Sequence, residues 1–184
     1  MKTFEELGVS EEIRKAIEEL GYEHPMPVQE EVIPYLLGVN NDVVALAQTG
    51  TGKTAAYGLP VLQKIDPSRT DTQAVILSPT RELCLQIADD LEAYSKYLPS
   101  VRVLPVYGGT NIESQIRTLK KGVQVIVATP GRLIDLMERG AASLGQVENV
   151  VLDEADEMLS MGFSESIDTI LAAIPENHNT LLLS

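Results

Sequence analysis

The chain has 184 residues, 44% of them hydrophobic, which suits one globular domain with a buried core. No apolar run approaches the roughly 18 residues of a membrane span, and a start carrying Glu5, Glu6, Glu11 and Glu12 is too acidic for a secretory signal, so the chain reads as soluble and cytoplasmic. A formal net charge of −13 argues against a broad nucleic-acid surface, and the single Cys84 excludes an internal disulfide and a cysteine-rich metal site and favours a reducing compartment.

In chain order, the pattern predicts a helix over 11–20, capped by Ser10 and stopped by Gly21, then one over 28–37 after Pro27. A first strand is predicted over 42–47 and a helix over 54–65, followed by a surface loop at 66–72. Further strands at 74–78, 101–107, 124–129, 149–153 and 180–184 alternate with helices at 81–98, 112–121, 130–139 and 163–174. Strands without polar alternation are buried on both faces. Their alternation with helices predicts an α/β fold with a parallel sheet covered by helices on both faces, and ligands at the strands' C-terminal ends. There is no internal repeat, and residues 1–184 read as one domain whose first 40 residues form N-terminal helices.

Ala47, Gln48, Thr49, Gly50, Thr51, Gly52, Lys53 and Thr54 stand between a predicted strand and a predicted helix, where a phosphate-cradling loop belongs. Glycines let successive backbone N–H groups turn inward, Lys53 reaches the β- and γ-phosphates, and Thr54 offers its hydroxyl to Mg²⁺. The helix start adds its positive end. Ala47 stands where the general pattern has glycine, a strand-to-helix turn that binds nothing shares this look, and the loop alone does not name the reaction. The strand at 149–153 delivers Asp153 and Glu154 to the same edge: Asp153 suits a hydrated Mg²⁺ opposite Thr54, and Glu154 suits orienting and deprotonating a water. Asp156 and Glu157 read at first as acidic residues favouring a helix start.

Charge is unevenly spread. Only residues 101–140 are net positive, and there Lys120 and Lys121 complement a helix C-terminus. Any nucleic-acid contact is therefore expected to be local, made by backbone amides and a few arginines.

With these residues assembled, the chain resembles the first, N-terminal RecA-like domain of the DEAD-box ATP-dependent RNA helicases, from Phe4 to Ser184. Asp153, Glu154, Ala155 and Asp156 spell that family's name motif, and Ala47 is normal in its phosphate loop. The segment from Gly21 to Gln29 resembles the adenine-reading Q motif, with Phe4 as the isolated upstream aromatic; Met26 departs from it, since Ser or Thr is usual there. Pro79, Thr80 and Arg81, then Gly108 and Gly109, then Thr129, Pro130, Gly131 and Arg132 resemble three RNA-contacting motifs in order.

The resemblance implies a RecA-like P-loop NTPase domain that uses ATP and Mg²⁺. Gln29 would read adenine, with Tyr22 and Phe4 as apolar support. Gln48, Thr49, Gly50, Thr51, Gly52, Lys53 and Thr54 would hold phosphate, with Lys53, Asp153 and Glu154 catalytic. RNA would be bound through its backbone with little base specificity. Thr80 and Thr129 also suit N-caps, which is compatible with that contact. Asp156 and Ser184, where a Ser-Ala-Thr motif would continue, would couple hydrolysis to strand separation. The implied enzyme is an RNA-dependent ATPase and helicase, expected to be a monomer with no membrane partner, whose second RecA-like domain is absent from this chain. The 184 residues alone are expected to bind nucleotide and hydrolyse it negligibly. The alternative is a nucleotide-dependent adaptor that binds RNA or protein without turnover. A DNA helicase of a neighbouring family fits less well, because its acidic motif usually ends in His.

Overall fold

The computed structural model describes residues 2–38 and 52–183. The predicted strand at 42–47, the loop residues Ala47, Gln48, Thr49, Gly50 and Thr51, and Ser184 lie outside the described residues.

Two N-terminal helices, α1 (Glu11–Glu19) and α2 (Pro27–Leu37), precede α3 (Lys53–Gln63). Then follow β1 (Ala74–Leu77), α4 (Arg81–Tyr94), β2 (Val103–Val106), α5 (Ile112–Lys121), β3 (Val125–Ala128) and α6 (Pro130–Glu138). The described chain ends with β4 (Asn149–Leu152), α7 (Ala155–Ser160), α8 (Ser164–Ala172) and β5 (Asn179–Leu182). Among the described residues no helix is long and apolar enough to cross a membrane.

The five described strands form one parallel sheet in the order β2-β3-β1-β4-β5. Alternate residues of each strand feed opposite faces. Ala74 and Ile76 of β1, with Val125, Val127 and Val151, pack against α1 to α4. Val75 and Leu77, with Ile126, Ala128, Val150 and Leu152, pack against α6, α7 and α8. The expected double cover is therefore present, and the three central strands β3, β1 and β4 are buried throughout, whereas the edge strands β2 and β5 are only partly so.

Register decides where the chemistry collects. Val106, Ala128, Leu77, Leu152 and Leu182 stand level across the sheet, each the last residue of its strand. The residues that follow them, Tyr107, Thr129, Ser78 and Asp153, consequently emerge along one edge.

Helix ends depart from expectation in instructive ways. Thr80 caps α4 as predicted, its hydroxyl accepting from the Leu83 N–H at 3.2 Å. Ser10 and Thr129 make no side-chain cap bond. The Ser10 N–H donates to Gln63 Oε1 at 2.8 Å, tying α1 to the end of α3, and the Thr129 N–H continues the ladder to the Val106 carbonyl at 2.9 Å. Helix α4 stops at Tyr94, short of 98, where Ser95 Oγ donates back to the Leu91 carbonyl at 2.9 Å and competes with the helical pattern. The six residues of α7 were not anticipated; they start directly after the Asp153 and Glu154 turn, with Asp156 and Glu157 in their first turn. Cys84 is buried against Ser78, and desolvation pushes its thiol up to about 11, so it is an inert core group.

Candidate active site

Helix α3 begins at Lys53 because Gly52 before it takes φ +91°, a turn that favours glycine. A Cβ at Gly52 would lie 2.5 Å from Met26 Sδ and 2.8 Å from Gln29 Nε2, so no larger residue fits there. Gln29 is 3% exposed, and its amide spans two segments: Nε2 donates to the Gly52 carbonyl at 3.1 Å, and Oε1 accepts from the Met26 N–H at 2.9 Å. One N–H and one lone pair remain for a further partner. The expected adenine reader is thus also a strut between the start of α2 and the end of the phosphate loop. Met26 supplies no hydroxyl cap; Gln29, from the third position of the helix, bonds the capping residue's N–H instead.

Lys53 extends to the end of β4. Its Nζ is 2.7 Å from Asp153 Oδ1 and 2.8 Å from Glu154 Oε1, and of the two only the contact to Glu154 has hydrogen-bond geometry. Burial alone would lower the Lys53 pKa, but the close contacts and charges of both carboxylates outweigh that and raise it. The ammonium is held charged. Asp153 is 1% exposed, with Oδ2 accepting from the Tyr57 hydroxyl at 2.8 Å and Oδ1 buried with no hydrogen-bond partner. Burial, then the Asp153 charge, drives the Tyr57 phenol well above its ordinary range, so it stays a donor. Glu154 takes φ +55°, the one non-glycine residue with positive φ among the described residues. Such a conformation costs on the order of 1–2 kcal/mol and aims the carboxylate back over Lys53.

Tyr57→Phe keeps the ring and strips the bond to Asp153. It is expected to lower stability by about 1–3 kcal/mol, because a buried carboxylate oxygen loses its donor. Urea unfolding that shifts the midpoint at constant slope is the check.

An open cleft of about 450 Å³ lies over these groups, lined by Gly52, Lys53, Thr54, Asp153 and Glu154 on one side. Its other wall is one stripe of α4, Leu83, Gln86, Asp90 and Tyr94, which sequence reasoning missed. Their spacing of three or four residues puts them on one helical face beside the core stripe Cys84, Ile87 and Leu91, so the signal was legible but reads as a solvated edge. Burial, then Asp89, raises the Asp90 carboxyl. Tyr22 closes the end of the cleft: its hydroxyl is 3.0 Å from that of Tyr94, and the rings meet edge to face at 6.0 Å. Tyr22 also borders an adjoining hollow that contains Phe4, although Phe4 itself is 6% exposed and packed mainly into the core.

A hard cation fits this donor set. Asp153 Oδ1 is a buried carboxylate oxygen that makes no hydrogen bond and is balanced by the Lys53 ammonium at 2.7 Å, and Thr54 lines the same cleft. Among the described residues no three His, Cys, Asp or Glu side chains cluster. Mg²⁺ characteristically binds through one or two carboxylates, with phosphate and water completing its shell.

The candidate RNA-contacting residues gather farther along the same edge. Arg81 is exposed and stacks its guanidinium 5.0 Å from the centre of the Tyr107 ring. Gly109 turns with φ +86° next to it, and a Cβ there would stand 3.8 Å from Arg81 Nη1. Arg132 donates from Nη1 and Nη2 to the Thr110 carbonyl at 3.2 and 3.3 Å. Gly108 and Gly131 are open to approach, whereas Pro79 and Pro130 are buried and can only shape the backbone. Asp156 is exposed on α7, beyond the ion-paired cluster.

The DEAD/DEAH box helicase family model matches residues 26–184. The chain is 50% identical over 182 residues to an ATP-dependent RNA helicase DeaD of Haemophilus influenzae, covering 99% of this chain and 30% of that protein. It is 52% identical over 184 residues to a DEAD-box ATP-dependent RNA helicase CshA of Geobacillus kaustophilus, covering all of this chain and 39% of the relative. It therefore spans between three tenths and two fifths of these relatives' length. The crystal structure of a hypothetical ATP-dependent RNA helicase from Sulfolobus tokodaii superposes with a TM-score of 0.85 at 38% identity, covering 95% of this chain and 50% of that one.

Proposed function

This chain belongs to the DEAD/DEAH box helicase family, and from that premise we propose that it is the ATP-binding half of an RNA-dependent ATPase that remodels RNA. The observation that carries the reading is Lys53, from the start of the phosphate-loop helix, set within 2.8 Å of both Asp153 and Glu154 from β4. Two segments about a hundred residues apart thereby converge on one point in an open cleft.

When ATP enters, Lys53 exchanges its carboxylate partners for the β- and γ-phosphates, which its charge suits equally well. Gln29 presents its remaining amide donor and acceptor to adenine. Glu154, freed of Lys53 and held by its left-handed backbone, orients the attacking water and takes its proton. Asp153, with Thr54, would hold Mg²⁺, which neutralises charge on the phosphates. Arg81, Arg132 and the backbone around Thr80, Gly109 and Gly131 bind the RNA backbone, so little base specificity follows. The opposite wall of the site, with an arginine for the γ-phosphate, belongs to a second RecA-like domain outside these 184 residues. An arginine finger is worth roughly 10³ to 10⁵ in rate, so this polypeptide alone should bind ATP yet scarcely hydrolyse it. We place the protein in the cytoplasm as a monomer.

The test is an ATPase titration with and without single-stranded RNA, on this polypeptide and on a form carrying a second RecA-like domain. RNA-stimulated turnover in the longer form alone supports the reading. Turnover in neither form, with ATP and RNA still bound, supports a nucleotide-dependent adaptor instead.

A further inference from the structure

In α5, all of whose residues are described, the buried residue is a glutamine. Gln115 is 7% exposed, while Ile112, Ile116 and Leu119 on the apolar side of the same helix are only partly buried. Burying an amide ahead of three aliphatic side chains is unfavourable unless its bonds do something packing cannot.

Those bonds join two segments. Gln115 Oε1 accepts from Arg132 Nη1 at 3.0 Å, and Nε2 donates to Thr110 Oγ1 at 3.1 Å and reaches the Tyr107 carbonyl at 3.5 Å. Thr110 Oγ1 in turn donates to the Tyr107 carbonyl at 3.2 Å, closing the turn that contains Gly108 and Gly109. Arg132 is therefore gripped by the Thr110 carbonyl and by Gln115, which together occupy three of its five N–H groups. The Nε–H and one Nη2–H have no partner among the described residues, and the guanidinium is only partly buried. A fixed fork with two free donors is what a phosphate oxygen pair requires.

We infer that Gln115 is a positioning residue for RNA, locking Arg132 to the Tyr107–Thr110 turn so that its two free N–H groups meet one backbone phosphate. Without it, Arg132 keeps its charge but loses one of its two anchors, and the turn loses its link to α5. The inference rests on the reading of Arg132 and the Gly108–Gly109 turn as RNA contacts. It adds a residue that makes no RNA contact itself.

The experiment is fluorescence anisotropy of a fluorescein-labelled oligouridine titrated with the full 184-residue chain at several salt concentrations. Arg132→Ala, Gln115→Leu and the double variant are compared with the parent, and affinity for a fluorescent ATP analogue is measured on each. Arg132→Ala and Gln115→Leu should each weaken RNA binding about tenfold and lower the salt slope by about 0.7, one single-strand phosphate contact. ATP-analogue affinity should not move. The double variant should bind no worse than Arg132→Ala, because Gln115 acts through the arginine. Gln115→Asn, polar but too short to span both partners, should reproduce Gln115→Leu and serves in its place if leucine does not fold. If Arg132→Ala weakens binding and neither Gln115 variant does, or if the losses add in full, the positioning role is wrong and the RNA reading stands. If Arg132→Ala leaves binding and slope unchanged, or the parent binds no RNA, the RNA reading of this edge falls, and the inference with it.

Discussion

Replacing Lys53 by alanine is expected to weaken ATP binding by roughly 10- to 150-fold, the equivalent of about 1.5–3 kcal/mol for hydrogen bonds to a charged group. The loss has two sources. ATP forfeits a cation at its phosphates, and it meets Asp153 and Glu154, whose shared partner at 2.7 and 2.8 Å has gone. The second source makes a further prediction. Lys53→Ala with Glu154→Gln removes one repelling charge and should bind ATP more tightly than Lys53→Ala alone, a non-additivity that direct neighbours produce. Titration of a fluorescent ATP analogue at saturating Mg²⁺ reads both. Binding by Lys53→Ala within threefold of the parent would remove Lys53 from the phosphate site.

The strands were legible because each is a short, mostly apolar run, the three central ones buried throughout, and their alternation with helices left few alternatives to a parallel sheet. What the sequence did not supply was register. That Leu77, Val106, Ala128 and Leu152 end level, and so bring Asp153, Thr129 and the Tyr107 turn to one edge, depends on pairings between distant segments. Helix α7 showed only its acidic start, Asp156 and Glu157, because six residues are too few to show a period. Thr129 has the right type and place for a cap, yet its hydroxyl makes no cap bond, while its backbone N–H extends the sheet ladder to β2.

Tyr57 shows the same limit within the site. Residues Ala55 to Leu62 of α3 are all buried, so no face stands out, and nothing local says that one phenol meets a carboxylate 96 positions away. Gln29 and Lys53, by contrast, were recognisable from their motifs. The structure adds their second attachments: Gln29 to Gly52, and Lys53 to the two acids.

Glu154→Gln, made in a form with both RecA-like domains, is expected to keep ATP binding and lower RNA-stimulated turnover by roughly 10² to 10⁴, the usual worth of a positioned general base. Binding should if anything tighten, because the neutral amide competes less for Lys53, which must leave Glu154 before it can reach the phosphates. The backbone gives a second handle on the same residue. Glutamine retains the strain at φ +55°, whereas Glu154→Gly relieves it and should raise stability by about 1 kcal/mol while abolishing turnover equally. A Glu154→Gly variant that is both more stable and inactive would show that the disfavoured conformation serves the reaction. Steady-state ATPase rates, paired with urea unfolding of the 184-residue chain, separate the two effects. Parental turnover in Glu154→Gln would show that another group orients the water.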